Sequence, residues 1–160
     1  MTTYLAGVPL AEVDRTRALT SPRDPREVVR IGVEILAILA HAHQREVVHG
    51  CLAMRHIIVG ESVGLVGFGQ APEHARPRDD FRALAAILYE LLTGEAWGSW
   101  APPASYFRPD LGQAFDEWLE TLGDPERTFR DAEEMRASLR AVGGTMPPPA
   151  MPEPLGHVAV

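Results

Sequence analysis

The chain contains no lysine and no asparagine. Its fifteen basic residues are therefore all arginine, and no compact ammonium charge is available to a site. Positive charge is scarce overall: the formal net charge is −7 and no Arg-rich stripe marks a helix for a groove, which excludes nucleic acid as a partner. The single cysteine, Cys51, cannot close an intramolecular disulfide, so nothing demands an oxidising compartment and a cytoplasmic location is expected. The start, Met1-Thr2-Thr3-Tyr4, lacks the basic and apolar regions of a signal peptide. The longest apolar run, Ile31 to Ala42, is interrupted by Glu34 and His41 and falls short of the roughly 20 residues a membrane span needs, which sets a membrane aside.

What is present suits one globular core. A chain of 160 residues with 46% hydrophobic and 23% charged residues lies far from the composition of disorder. Asp24-Pro25-Arg26-Glu27 opens a helix, with Asp24 as cap and Pro25 in the first turn. Val28, Val29, Ile31, Ile35, Leu36, Ile38, Leu39 and Ala42 then recur near a 3.6-residue period, to an end near Gln44. Val47-Val48, Ile57-Ile58-Val59 and Val63-Gly64-Leu65-Val66 read as short β segments, the last two joined as a hairpin by Gly60-Glu61-Ser62.

A second helix runs from Asp79 or Asp80 to Thr93, stopped by Gly94, and its wide apolar face suits a central buried position. Residues 95–112, rich in Pro, Gly and aromatics, read as an irregular connection. Phe115, Trp118, Leu119 and Leu122 mark a third helix, and Asp131 caps a last one that Gly143-Gly144 should end. Two regions result: a mainly α domain over 1–144 with five to seven helices and one small β-hairpin, and a tail over 145–160. Five prolines and almost no charge make that tail flexible or polyproline-like, an end that could also dock on an aromatic groove.

The order of these elements and of several short motifs resembles the C-terminal lobe of a eukaryotic-type Ser/Thr protein kinase. Val48-His49-Gly50-Cys51-Leu52-Ala53-Met54-Arg55-His56-Ile57-Ile58 is similar to the catalytic loop, whose family pattern is His-Arg-Asp-Leu-x-x-x-x-Asn followed by a strand. Gly67-Phe68-Gly69 stands where the family has Asp-Phe-Gly, and Ala71-Pro72-Glu73 matches Ala-Pro-Glu. Asp80 stands where an aspartate opens the family's central helix, Leu88-Tyr89-Glu90-Leu91-Leu92-Thr93-Gly94 looks like that helix's end, and Asp124-Pro125-Glu126-Arg127 resembles the segment whose arginine pairs with the Ala-Pro-Glu glutamate, here Glu73. Tyr4-Leu5-Ala6-Gly7-Val8-Pro9-Leu10 looks like the hinge.

The departures carry as much meaning. The family uses an aspartate to orient the substrate hydroxyl, and an asparagine and a second aspartate to hold magnesium. Those positions here are Cys51, His56 and Gly67, and the catalytic-loop lysine position is Ala53. The phosphate-clamping arginine is replaced by Gly50, and only Gln70 stands where the family has an activation loop. The resemblance begins at the hinge, so the N-lobe with its glycine-rich loop and lysine is expected to be absent. What stays is architectural: His49 and Phe68 stacked beneath the site, Asp80 holding the catalytic-loop backbone, and the pair Glu73 and Arg127.

The resemblance therefore implies a truncated pseudokinase that is not an enzyme. It would have no catalytic residues, no bound cofactor or metal and no affinity for Mg-ATP, and would act as an adaptor or regulatory subunit. Its partner, another protein or a second copy, is expected on the face an N-lobe would cover, where Leu5, Ile58 and Val66 lie. The alternative is a repurposed nucleotide-dependent transferase or nucleotide-binding module. Metal binding by His41, His43, His49, Cys51 and His56 is set aside because their spacing fits no zinc pattern and His41 and His43 point to different helix faces. Cys51 reads as a small buried filler, and Trp97, Trp100, Tyr106 and Phe107 as aromatics pinning the connection to the core, with a binding patch as the alternative.

Overall fold

A computed structural model describes residues 8–9, 23–124 and 126–146. Five α-helices carry the fold among these residues: α1 (Pro25–His43), α2 (Pro77–Thr93), α3 (Ala104–Phe107), α4 (Gln113–Gly123) and α5 (Ala132–Thr145). Two 3-10 turns, Met54–His56 and Pro109–Leu111, complete the helical part. Strands β1 (Val8–Pro9), β2 (Ile57–Val59) and β3 (Val63–Leu65) form one antiparallel sheet in that order. The mainly α architecture expected from the periodicities is present. No helix among the described residues is long and apolar enough to cross a membrane.

Local signals explain the helix ends. The Asp24 carboxylate accepts from the Arg26 amide at 2.9 Å, satisfying a donor that the first turn leaves unpaired. The α2 start lies at Pro77, ahead of the expected aspartates, because the Asp79 carboxylate reaches back to accept from the Arg76 amide at 2.8 Å. Gly94 ends α2 at φ 78°, a left-handed conformation that other residues adopt at a cost. Asp131 caps α5 by accepting from the Glu134 amide at 2.8 Å, and that hydrogen bond holds its carboxyl below the usual carboxylate range.

The core is where α1, α2 and α5 meet. Val28, Ile31, Ile35, Leu36 and Leu39 of α1 are buried against Leu84, Leu88 and Leu92 of α2 and Met135 and Leu139 of α5. Each such side chain contributes about 1.5–3 kcal/mol through its burial. Gly32 lets the three helices close up: a Cβ there would stand 2.8 Å from Leu139 Cδ2 and 2.9 Å from Leu88 Cδ1. Gly143 plays the same part at the other end of the α1–α5 contact, 2.8 Å from Val29 Cγ1. It is thus a close-approach glycine and not the helix stop expected from Gly143-Gly144, and α5 continues to Thr145 with Met146 buried behind it.

Three further expectations need correction. The Val47-Val48 segment is not a strand, since the chain there turns out of α1 through Glu46, which takes φ 59°. The hairpin has a third strand, because β1 pairs Val8 with Val59 and Pro9 with Ile58. The connection over 95–112 is not wholly irregular: it contains α3 and a 3-10 turn, pinned by the Tyr89 hydroxyl donating to the Pro102 carbonyl at 2.8 Å. Burial, with the nearby Glu95 carboxylate, pushes that phenol above its ordinary value.

Candidate functional site

The turn that links α1 to β2 is fixed by one buried carboxylate. Asp80, fully buried near the start of α2, accepts from the His49 amide at 3.0 Å and the Gly50 amide at 2.7 Å. His43, from the end of α1, places Nε2 at 2.8 Å from the same group. Burying an ionised carboxylate is tolerable only where donors compensate it, and these three supply the compensation. Gly50 takes φ 71°, and Ala71 and Ala75 pack against it so tightly that a Cβ would lie 2.8 Å and 2.9 Å from theirs. The short connection after Phe68 therefore lies on Gly50, which sequence spacing alone did not show.

His49 is buried and oriented from both sides. Its Nε2 stands 2.9 Å from the Val66 carbonyl oxygen, which can only accept, so the Nε2–H donates. Its Nδ1 lies 3.7 Å from Cys51 Sγ. The His49 ring sits between His56, at a centroid separation of 5.0 Å, and Phe68, at 4.8 Å. The contact of His49 with Phe68 is the stacking that the resemblance implies.

His56 is 9% exposed, and its Nδ1 has no hydrogen-bond partner among the described residues. Burial, with the Arg55 charge and then His49 adding, lowers its pKa below the ordinary imidazole value, so the ring is neutral near pH 7. Gly67 opposes it at φ 90°, where a Cβ would meet His56 Cδ2 at 2.9 Å. Histidine at 56 and glycine at 67 thus fit each other sterically.

The ligand atoms of His49, Cys51 and His56 all lie within 4.8 Å of one another, a convergence that the spacing argument missed. Cys51 is half-buried and reaches solvent, so it is not a sealed filler. His41 and His43 do not join the group: His41 is exposed beside Arg45, and His43 is committed to Asp80. Ala53 precedes the 3-10 turn and is half-buried.

The expected Glu73–Arg127 pair does not form among the described residues, where both side chains are exposed. Glu73 travels with the short connection packed on Gly50, and a surface pair contributes little that could draw the two together. Ile58 is half-buried and Val66 is 40% exposed, whereas Leu5 lies outside the described residues. The aromatics also depart from expectation. Trp97 packs on the core, but Trp100 is 97% and Tyr106 74% exposed, so neither pins the connection.

No family model matches the chain. It is 26% identical to serine/threonine-protein kinase PrkC of Bacillus subtilis (strain 168), in an alignment covering 86% of this chain and 28% of that protein. Crystal structures of the Mycobacterium tuberculosis PknI kinase domain superpose with a TM-score of 0.74 at 24% identity, and with 0.73 at 22%. The matches cover 88% and 87% of this chain and 64% of the kinase domain in both cases. The chain is therefore related to the serine/threonine kinases, has their fold, and spans about a quarter of the curated relative it matches. These similarities overturn the expectation that the chain is not an enzyme: PrkC is a serine/threonine-protein kinase and the matched structures are kinase domains.

Proposed function

We propose that this chain, as a relative of the serine/threonine protein kinases, provides a protein-binding lobe of adaptor or regulatory character, whose partner seats on the outer face of the small sheet. One observation carries the reading. In β2 and β3, Ile57, Val63 and Leu65 point into the core, and the two-residue alternation of strands puts Ile58 and Val66 on the opposite side. Val66 keeps 40% of its surface in water, although burying such a side chain is favourable by about 1.5–3 kcal/mol. The charge of −7 repels a second copy and favours a separate protein with an apolar centre and a basic rim. A cytoplasmic location belongs to the same proposal.

The test is the double variant Ile58→Arg with Val66→Arg, compared with wild type in affinity capture and sedimentation. Loss of the captured partner from a variant with unchanged melting supports the reading, and full retention overturns it. A wild-type chain that sediments as a dimer, while the variant sediments as a monomer, replaces the separate partner with a second copy.

Kinship with kinases favours a second reading, in which the lobe takes part in nucleotide-dependent phosphoryl transfer. Cys51, His56 and Gly67 carry no side-chain carboxylate or amide oxygen, so a nucleotide metal would need other ligands here. Thermal melting against Mg-ATP separates the readings. A saturable rise in Tm supports nucleotide binding, since a ligand that prefers the native state stabilises it by mass action.

A further inference from the structure

We infer that His49, Cys51 and His56 form a binding site for one borderline-soft divalent ion of the zinc class, with a fourth position open to another ligand. Their ligand atoms already lie within 4.8 Å of one another before any metal draws them in. On a tetrahedral zinc, with bonds of about 2.3 Å to sulfur and 2.0–2.1 Å to nitrogen, sulfur and nitrogen stand about 3.6 Å apart. Cys51 Sγ and His49 Nδ1 are separated by 3.7 Å, so that edge of the tetrahedron is in place.

The surroundings prepare each ligand. The Nε2–H of His49 donates to the Val66 carbonyl, which fixes the ring and turns Nδ1 towards Cys51. A backbone carbonyl on the far nitrogen is the usual support of a metal-bound histidine. His56 is more than nine-tenths buried, and its Nδ1 lacks any partner among the described residues. Buried polar atoms in native proteins are nearly always satisfied, so a buried imidazole with an unpartnered nitrogen, in a group that converges with a thiol and a second imidazole, calls for a ligand.

Gly67 contributes space: its missing Cβ would stand 2.9 Å from His56 Cδ2 and displace the ring. A plain thiol-to-imidazole hydrogen bond accounts for the 3.7 Å contact alone, whereas one ion accounts for the convergence of all three side chains. One sulfur and two nitrogens favour zinc over the oxygen-seeking magnesium and calcium. The half-buried Cys51 leaves a path from solvent. None of the three ligands is a residue of the proposed docking face, although the site adjoins it through the Val66 carbonyl.

The test uses the untagged, reduced 160-residue chain, with cobalt(II) titrated in as the spectroscopic probe and zinc(II) as competitor. The expected result is one equivalent of cobalt bound, with a thiolate-to-cobalt charge-transfer band and intense visible ligand-field bands, all removed by one equivalent of zinc. Cys51→Ser abolishes the charge-transfer band, and His56→Asn weakens binding by about tenfold to a hundredfold or more. His41→Ala and His74→Ala, at exposed positions, leave it unchanged. Circular dichroism confirms that each variant is folded, and if His56→Asn is not, the near-isosteric Cys51→Ser decides. Saturation with cobalt without a thiolate band, a band that survives Cys51→Ser, or equal affinity in folded His56→Asn overturns the site.

Discussion

Replacing Asp80 by alanine removes a buried group that ties the His49 and Gly50 backbone to the start of α2. The carboxylate is fully buried and accepts from the His49 and Gly50 amides at 3.0 Å and 2.7 Å, with His43 Nε2 2.8 Å away. Hydrogen bonds to a charged group contribute about 1.5–3 kcal/mol each. Part of that sum is offset, because the buried carboxylate itself no longer has to be desolvated. The two amides and the imidazole are left without acceptors, so a net loss of about 3–5 kcal/mol is expected, the usual cost of breaking a buried charged network.

With a urea m-value of about 2 kcal/mol/M, that loss moves the unfolding midpoint by roughly 2 M. Asp80→Asn keeps one acceptor oxygen but turns an amide N–H towards other donors, so it falls between wild type and alanine. A double-mutant cycle with His43→Leu then shows coupling of about 0.5–3 kcal/mol, because the two residues share one network. A midpoint for folded Asp80→Ala within about 0.25 M of wild type, at unchanged m-value and so within about 0.5 kcal/mol in stability, would refute the reasoning.

Neighbouring glycines should respond in opposite senses. Gly143→Ala forces a Cβ to 2.8 Å from Val29 and destabilises by about 1–3 kcal/mol, whereas Gly144→Ala, with no neighbour within 4 Å, stabilises by about 0.5 kcal/mol in thermal melts. Gly67→Ala meets both a φ of 90° and His56 Cδ2, and should cost about 1–3 kcal/mol on the same measurement. Asp131→Ala removes the α5 cap at a cost of about 1 kcal/mol near pH 7. Because the folded-state pKa of Asp131 is depressed, its contribution is present above the unfolded value of 3.8 and lost as pH falls through the folded one, so the variant's acid-side stability profile is flatter. The raised pKa of Tyr89 acts on the other side: above the unfolded value of 10.0 the unfolded chain releases that proton first and stability falls with rising pH, a fall that Tyr89→Phe should reduce.

What the sequence made legible were features that act locally. Asp24, Gly94 and Asp131 mark helix ends through their own backbone and cap chemistry, and the 3.6-residue recurrence from Val28 to Leu39 is the buried face of α1. Long-range features were hidden. Gly143 reads as a stop because its reason, the approach of Val29, lies on another helix. Strand β1 is two residues long and exists through its pairing with β2. The motif order and Asp80 locate the turn at His49, but the convergence of His49, Cys51 and His56 depends on a fold in which their ring planes and thiol meet, and no spacing rule encodes it. The Glu73–Arg127 pair fails for the converse reason: a motif match carries no information about a connection shortened to Gln70.

The central claim, that the outer face of the small sheet is where this lobe meets another protein, is tested most directly by amide hydrogen exchange of the chain alone and with its captured partner at saturating concentration. The account predicts slowed exchange concentrated in residues 57–66, with little change in residues 97–107. Protection confined to residues 97–107, around the exposed Trp100 and Tyr106, would contradict it and move the interaction to that connection.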